Sequence, residues 1–378
     1  MSEPLLMIPG PIEIGERVFE ATCIRPRSHV SPPIKACFSR ALQAMRTVWC
    51  ANPDHQPFVV AGGGTLAMES TVCNLIDPGD RVLVVNTGYF GDRMAEMLVR
   101  RGAEVFQVGA GLGGCPGLAD VAEALDEHGP KAVFITHVDT STGVRTDARS
   151  LAALARERGV LSVFDGVCAT AAEVLHQSEW GADVVLTASQ KAIGLPPGLA
   201  LWVASPAALA ARDALTSAPP MSLDWAQWMP VMQAYEAEAS AYFSTPPTTL
   251  VPALDVSLHE LVTEGMPAVF TRHQRAADKL RAAWAAMGLR SVSEHPANTL
   301  SALYWPEGTD ASALPRIAAE GAVVAGGLHP QIKAEYFRVG HMGEVTRTDA
   351  PLLQTLLAVG RGLGLDAEAG RAAFEAEP

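Results

Sequence analysis

Val184-Val185-Leu186-Thr187-Ala188-Ser189-Gln190-Lys191 is an apolar run that turns polar over its last residues and stops on a lysine, with a Pro-Pro-Gly turn following at Pro196 to Gly198. Aliphatic and β-branched residues succeed one another over strand length with no alternating polar face, the pattern of a strand buried on both sides. Lys191 therefore stands where this strand leaves its sheet. In an open parallel sheet the carboxyl edge is where ligands bind. A partly desolvated lysine there can lose its proton near neutral pH and attack a carbonyl to form a Schiff base. Most lysines after strands are solvated surface charges, so the reading depends on what else reaches the same edge.

On either side of this run, strands and helices alternate. Phe58-Val59-Val60 leads into Gly62-Gly63-Gly64-Thr65 and a helix that ends at the turn Asp77-Pro78-Gly79-Asp80. Strands are expected over 82–85, 104–108, 132–136, 160–164 and 200–204, with helices over 93–101, 118–127 and 148–158 between them. Strands separated by such helices predict the α/β class, a parallel sheet wound with helices on both faces. The proline-rich start reads as an arm over residues 1–20, followed by a large domain over 21–253. A long helical pattern over 254–287 opens a smaller C-terminal α+β domain, 254–378, with strands over 300–305, 323–324 and 336–339. The aromatic stretch 224–247, with Trp225, Trp228, Tyr235, Tyr242 and Phe243, is expected to cover a pocket or a partner surface.

The 378 residues are 48% hydrophobic, enough for a large core, and carry a net charge of −13 with no Lys/Arg cluster. Nucleic acid and anionic membranes, which need a positive patch, are excluded as partners, which leaves small molecules. No stretch approaches a bilayer span, the start lacks a signal or transit pattern, and the tail is not a peroxisomal address, so the cytoplasm is expected. The six cysteines are scattered with no Cys-x-x-Cys pair, so they read as buried hydrophobes and no metal site is expected.

Three further features fall on the edge that carries Lys191. A helix starting directly after Gly62-Gly63-Gly64-Thr65 offers its unpaired N–H groups and dipole to an anion, and Thr65 adds a hydroxyl. Asp165 closes an apolar strand, where a carboxylate needs a cation or hydrogen bonds. Thr140-Ser141-Thr142-Gly143 is a hydroxyl-rich turn, ordinarily a capping loop. A lysine, an aspartate and an anion-binding helix start on neighbouring strand ends are together what pyridoxal 5'-phosphate requires. One rival motif belongs to a different class: Gly109-Ala110-Gly111-Leu112-Gly113-Gly114, with Asp139 for a ribose, fits the fingerprint of an NAD-dependent dehydrogenase. Pro116 and Gly117 separate its last glycine from the next helix, which removes the helix N-terminus the pyrophosphate needs.

Five motifs carry a resemblance over nearly the whole chain. Ile8-Pro9-Gly10-Pro11, Gly62 to Glu69, His137 to Val144, Ser189-Gln190-Lys191-Ala192 and Phe337 to Gly343 resemble, in order and spacing, the class V aminotransferases of fold type I, above all their alanine-glyoxylate and serine-glyoxylate branch. The resemblance implies a mostly parallel sheet of the seven-stranded type, pyridoxal 5'-phosphate as cofactor, and a homodimer with shared active sites. It makes Lys191 the Schiff-base lysine and proton shuttle, and Asp165 the partner of the pyridine nitrogen. Phe90 would cover the ring, Thr142 would lie near its phenolic oxygen, and Gly63, Gly64, Thr65, Val167 and Gln190 would complete the cofactor pocket. Tyr242 and Thr245 would reach the neighbouring subunit's phosphate, while Gly10 and Arg338 would bind the substrate. Many relatives have serine in place of Gly63 and tryptophan in place of Phe90. The implied reaction moves an amino group from a small amino acid, alanine first, to glyoxylate, giving pyruvate and glycine. Serine-glyoxylate, serine-pyruvate and 2-aminoethylphosphonate transamination are the alternatives.

Overall fold

The computed structural model describes residues 3–376; the first two and last two residues, which entered the expectations for the termini, lie outside the described part. The chain starts with β1 (Leu5–Leu6), α1 (Glu16–Thr22) and α2 (Pro32–Trp49). The alternating region follows: β2 (Gln56–Gly62), α3 (Gly64–Leu75), β3 (Arg81–Asn86), α4 (Tyr89–Arg101), β4 (Glu104–Gly109), α5 (Leu118–His128), β5 (Ala132–Thr136), α6 (Ala148–Glu157), β6 (Leu161–Asp165), α7 (Gln177–Trp180), β7 (Val184–Ala188) and β8 (Gly198–Ala204). Helices α8 (Pro206–Asp213), α9 (Trp225–Glu236), α10 (Leu250–Glu264) and α11 (Met266–Ala286) lead to β9 (Leu300–Tyr304), α12 (Leu314–Ala319), β10 (Ala322–Val323), β11 (Ala325–Gly326), β12 (Tyr336–Gly340), α13 (Asp349–Leu363) and α14 (Ala367–Ala376).

The main sheet has seven strands in the order β2-β8-β7-β6-β5-β3-β4. It is parallel except for β8, which runs antiparallel to both neighbours. The sequence had suggested a parallel strand at 200–204. Only the short segment from Ser189 to Pro197 joins β7 to β8, too little for the crossover that a parallel return requires. β5 and β7 are buried at every position, as their uninterrupted apolar runs dictate.

Two cores flank the chain's second half. Leu254, Leu258, Leu261, Met266, Val269 and Phe270 pack with the sheet's core, although the sequence grouped them with the C-terminal domain. From Ala276 onward the buried residues of α11 join a second core with Leu303, Phe337, Leu352 and Phe374. The expected helix over 254–287 is two helices, broken at Gly265. Trp225, Trp228 and Tyr235 are buried core residues, with Trp225 against Phe58 and Trp202, so this part of the aromatic stretch covers no partner. Tyr242 beyond it is 70% exposed. Among the described residues no helix is long and apolar enough to cross a membrane.

The arm ties the second core to the main sheet. β1 pairs with β10, and Met7 is buried in the second core. The Gly340 N–H donates to the Met7 carbonyl at 2.7 Å, and a side chain on Gly340 would overlap the Ile8 carbonyl. Gly340→Ala is therefore expected to push the arm off β12 and to lower stability by about 1–3 kcal/mol, the usual cost of overpacking, read as a lower denaturant midpoint.

Candidate active site

Ser189 folds the short β7–β8 connection. Its hydroxyl donates to the Pro196 carbonyl at 2.7 Å and accepts from the Leu199 N–H at 3.1 Å, while its own N–H donates to the Leu199 carbonyl. This closed turn leaves Gln190 and Lys191 at the carboxyl end of β7. Lys191 is 9% exposed, and its amino group donates to the carbonyl of Pro9 in the arm. Gly10 lies against the same side chain, with the Lys191 nitrogen 2.6 Å from where a Cβ would stand, and its φ of +111° calls for glycine.

Asp165 closes the neighbouring strand β6, level with Leu186 of β7. One carboxylate oxygen accepts the Val167 N–H at 3.0 Å; the other takes no hydrogen bond among the described residues. Burial pushes the carboxyl up to about 6, against that N–H bond and the cations Lys191 and Arg93 that lower it, and with the nearby Asp139 raising it.

These groups line a cavity of about 150 Å3. Gly64, Thr65 and Met68 face it from the first turns of α3, Phe90 from α4, Val138 and Thr140 from the segment after β5, and Val167 and Gln190 complete it. Gly63 caps α3 just outside, in extended conformation with open space where a side chain would be. The side-chain carbonyl of Gln190 is buried without a partner.

Phe90 is held by backbone bonds. Asp139 accepts the N–H groups of Phe90 at 3.0 Å and Gly91 at 3.4 Å with one oxygen, and the Ser141 N–H and hydroxyl at 2.8 and 2.6 Å with the other. The Ser141 hydroxyl in turn accepts the Tyr89 N–H at 3.0 Å. Asp139 thus caps α4 and has no oxygen left for a ribose. The N-cap of α5 is Gly117, three residues past Gly114. Both facts remove the dinucleotide reading.

Thr142 does not reach the cavity. Its hydroxyl donates to the Thr87 carbonyl at 2.9 Å and accepts the Val144 N–H at 3.3 Å, which holds the turn shut. Thr140, two residues earlier in the same turn, lines the cavity instead. Arg338 does not line the cavity but holds its wall: on β12, its Nε donates to the Gly326 carbonyl at 2.9 Å and its Nη1 to the Thr140 carbonyl at 3.2 Å. No carboxylate bonds it among the described residues, and burial lowers its guanidinium from the ordinary range. Tyr242 and Thr245 are exposed and away from this cavity. Met68, Val138 and Thr140 had no signal of their own, although Thr140 stood in the hydroxyl-rich turn already singled out.

A lysine amino group, a buried carboxylate and a helix start gathered at the carboxyl edge of an α/β sheet define a group-transfer site worked through an amine. The chain belongs to the class-V aminotransferase family, whose model matches residues 20–309, and it is a transaminase. It is 36% identical over 354 residues to alanine–glyoxylate aminotransferase 1 of Saccharomyces cerevisiae, covering 89% of this chain and 91% of the relative. It is 32% identical to the L-aspartate–glyoxylate aminotransferase of Paracoccus denitrificans, covering 91% and 88%. A solved alanine–glyoxylate aminotransferase from Nostoc sp. superposes with a TM-score of 0.88 at 30% identity over 96% of both chains.

The raised Asp165 carboxyl makes stability depend on pH. The folded state holds the proton up to about pH 6 and the unfolded chain releases it near 3.8, so the cofactor-free protein loses stability as pH rises through that window. Asp165→Asn lacks this ionisation. Its advantage over the parent in urea unfolding is expected to grow between about pH 4 and 6, then level off on the order of 3 kcal/mol.

Proposed function

We propose that this transaminase uses pyridoxal 5'-phosphate to move an amino group from a small amino acid, alanine preferred, to glyoxylate, giving pyruvate and glycine. The observation that carries this reading is the convergence of Lys191, Asp165 and the start of α3 on one cavity, with Arg338 bonded to the Thr140 carbonyl of its wall. The residues fit the cofactor. The α3 N–H groups and the Thr65 hydroxyl suit a phosphate, with the Gln190 side chain lining the same cavity; the Asp165 oxygen suits a protonated ring nitrogen; Phe90 and Val167 suit the ring.

When bound, pyridoxal phosphate supplies an electron sink for the pair left at the substrate α-carbon. Lys191 takes the α-proton on its amino nitrogen and returns it, and Pro9 and Gly10 hold that nitrogen in place meanwhile. Asp165 keeps the positive charge on the ring nitrogen. Arg338 binds the substrate carboxylate through donors left over from Gly326 and Thr140, each charge-assisted bond being of order 1.5–3 kcal/mol. Phe90 shields the site from water.

Tyr242 and Thr245, exposed beside the chain's own fold, are assigned to the cofactor phosphate of a second subunit, which makes the working form a homodimer. All six thiols are free, in keeping with a reducing compartment and with work in the cytoplasm. The yeast relative supports alanine as donor. A methyl or hydroxymethyl difference is worth only about 1–3 kcal/mol in such a pocket, so the donor is settled by assay.

The purified protein is expected to be yellow, to bleach with borohydride or alanine, and to be colourless as Lys191→Ala; a wild-type protein with no such band sinks the cofactor reading. With glyoxylate as acceptor, alanine should give the highest kcat/KM among alanine, serine, aspartate and 2-aminoethylphosphonate, and a higher value for any other donor replaces the substrate assignment. Arg338→Lys should raise the KM for the donor roughly 10- to 100-fold through loss of the paired contact, while the cofactor band stays unchanged.

A further inference from the structure

Arg93 is a cation that the scheme above does not use. It sits in the first turns of α4, partly buried. Its guanidinium carbon stands 4.8 Å from the centre of the Tyr89 ring and 5.4 Å from that of Phe90. Nη2 donates to the Tyr89 hydroxyl at 2.5 Å and Nη1 to the Thr65 hydroxyl at 3.5 Å. Among the described residues both hydrogen bonds end on hydroxyls, so no carboxylate neutralises the charge locally. Its field nonetheless reaches the cavity, where it lowers the Asp165 carboxyl.

The direction of the Thr65 contact has a chemical consequence. A guanidinium has donors and no acceptor, so Thr65 must accept. A hydroxyl whose lone pair is taken in this way keeps its own proton free to donate elsewhere. Thr65 lines the cavity in the first turn of α3, beside N–H groups that suit an anion. Gly63 next to it brings no hydroxyl, and a Cβ there would meet nothing within 4 Å. The Thr65 proton is therefore the side-chain donor available at this helix start.

We propose that Arg93 is a positioning residue for the cofactor phosphate: by occupying an acceptor lone pair of Thr65 it aims the Thr65 proton at the phosphate. This rests on the reading of the site as a pyridoxal phosphate pocket. No covalent bond changes, since Arg93 acts only through the orientation of another donor.

The test compares equilibrium binding of pyridoxal phosphate with that of pyridoxal, which lacks the phosphate, to cofactor-free protein, followed by absorbance. The dissociation constant of pyridoxal divided by that of pyridoxal phosphate isolates the phosphate contribution. Arg93→Gln and Thr65→Val should each lower that ratio about tenfold, the worth of one good hydrogen bond. The double variant should lower it no further, because both changes remove the same contact. Pyridoxal itself should bind all four proteins within about threefold, which also shows that the pocket is folded. Additive effects would mean that Arg93 acts on the phosphate directly, and an unchanged ratio, or a larger loss of pyridoxal binding, would mean that it merely supports α4; each overturns the proposal. A wild-type protein that binds neither compound sinks the pyridoxal phosphate reading and this inference with it, whereas normal wild-type binding with any of the other results sinks this inference alone.

Discussion

One carboxylate oxygen of Asp165 is held by the Val167 N–H, and the other faces a cavity with no hydrogen bond among the described residues. Burial raises this acid, because the ionised form is disfavoured away from water. The strand order makes a site around it. β6 lies between β5 and β7, so the segments that follow all three strands, carrying Thr140, Val167 and Lys191, open onto one hollow.

The walls of the hollow are fixed by hydrogen bonds between loops rather than by the sheet. Asp139 is itself a buried carboxylate, yet it collects four donors and so serves as a cap for α4 and an anchor for Phe90. The two acids differ in role because of their partners, not their depth. Contacts from the chain after α11 fasten the same loops: Arg338 holds the Thr140 carbonyl, the Tyr336 hydroxyl donates to the Ser141 carbonyl at 2.5 Å, and the buried Glu173 carboxylate accepts the Asn298 N–H and side-chain amide at 2.5 and 2.9 Å. Arg338 and the wall of the cavity are thereby parts of one network.

Lys191, Asp165 and the glycine loop were legible because each ends or follows an apolar run of strand length, which places a polar group at the sheet edge before any contact is known. Thr140 and Thr142 were not separable in the same way: two hydroxyls in one tight turn differ only in which one the Thr87 carbonyl takes. Helix periodicity carried the pattern over 254–287 through Gly265, where a single glycine at φ +84° divides it between two helices. Trp225, Trp228 and Tyr235 looked like a covering surface by composition alone, but α9 turns them into the core.

The sequence by itself determined the α/β alternation, the strand end that presents the lysine, the acid that closes the next strand, and the family, because periodicity and motif spacing are local properties of the chain. The tertiary structure decided which way β8 runs, which of two threonines faces the cavity, and that Asp139 is a cap and not a ligand. It also brought Arg338 of β12 within reach of the Thr140 carbonyl, 198 positions away along the chain. Those outcomes turn on hydrogen-bond partners distant in sequence, and no local pattern encodes the competition among them.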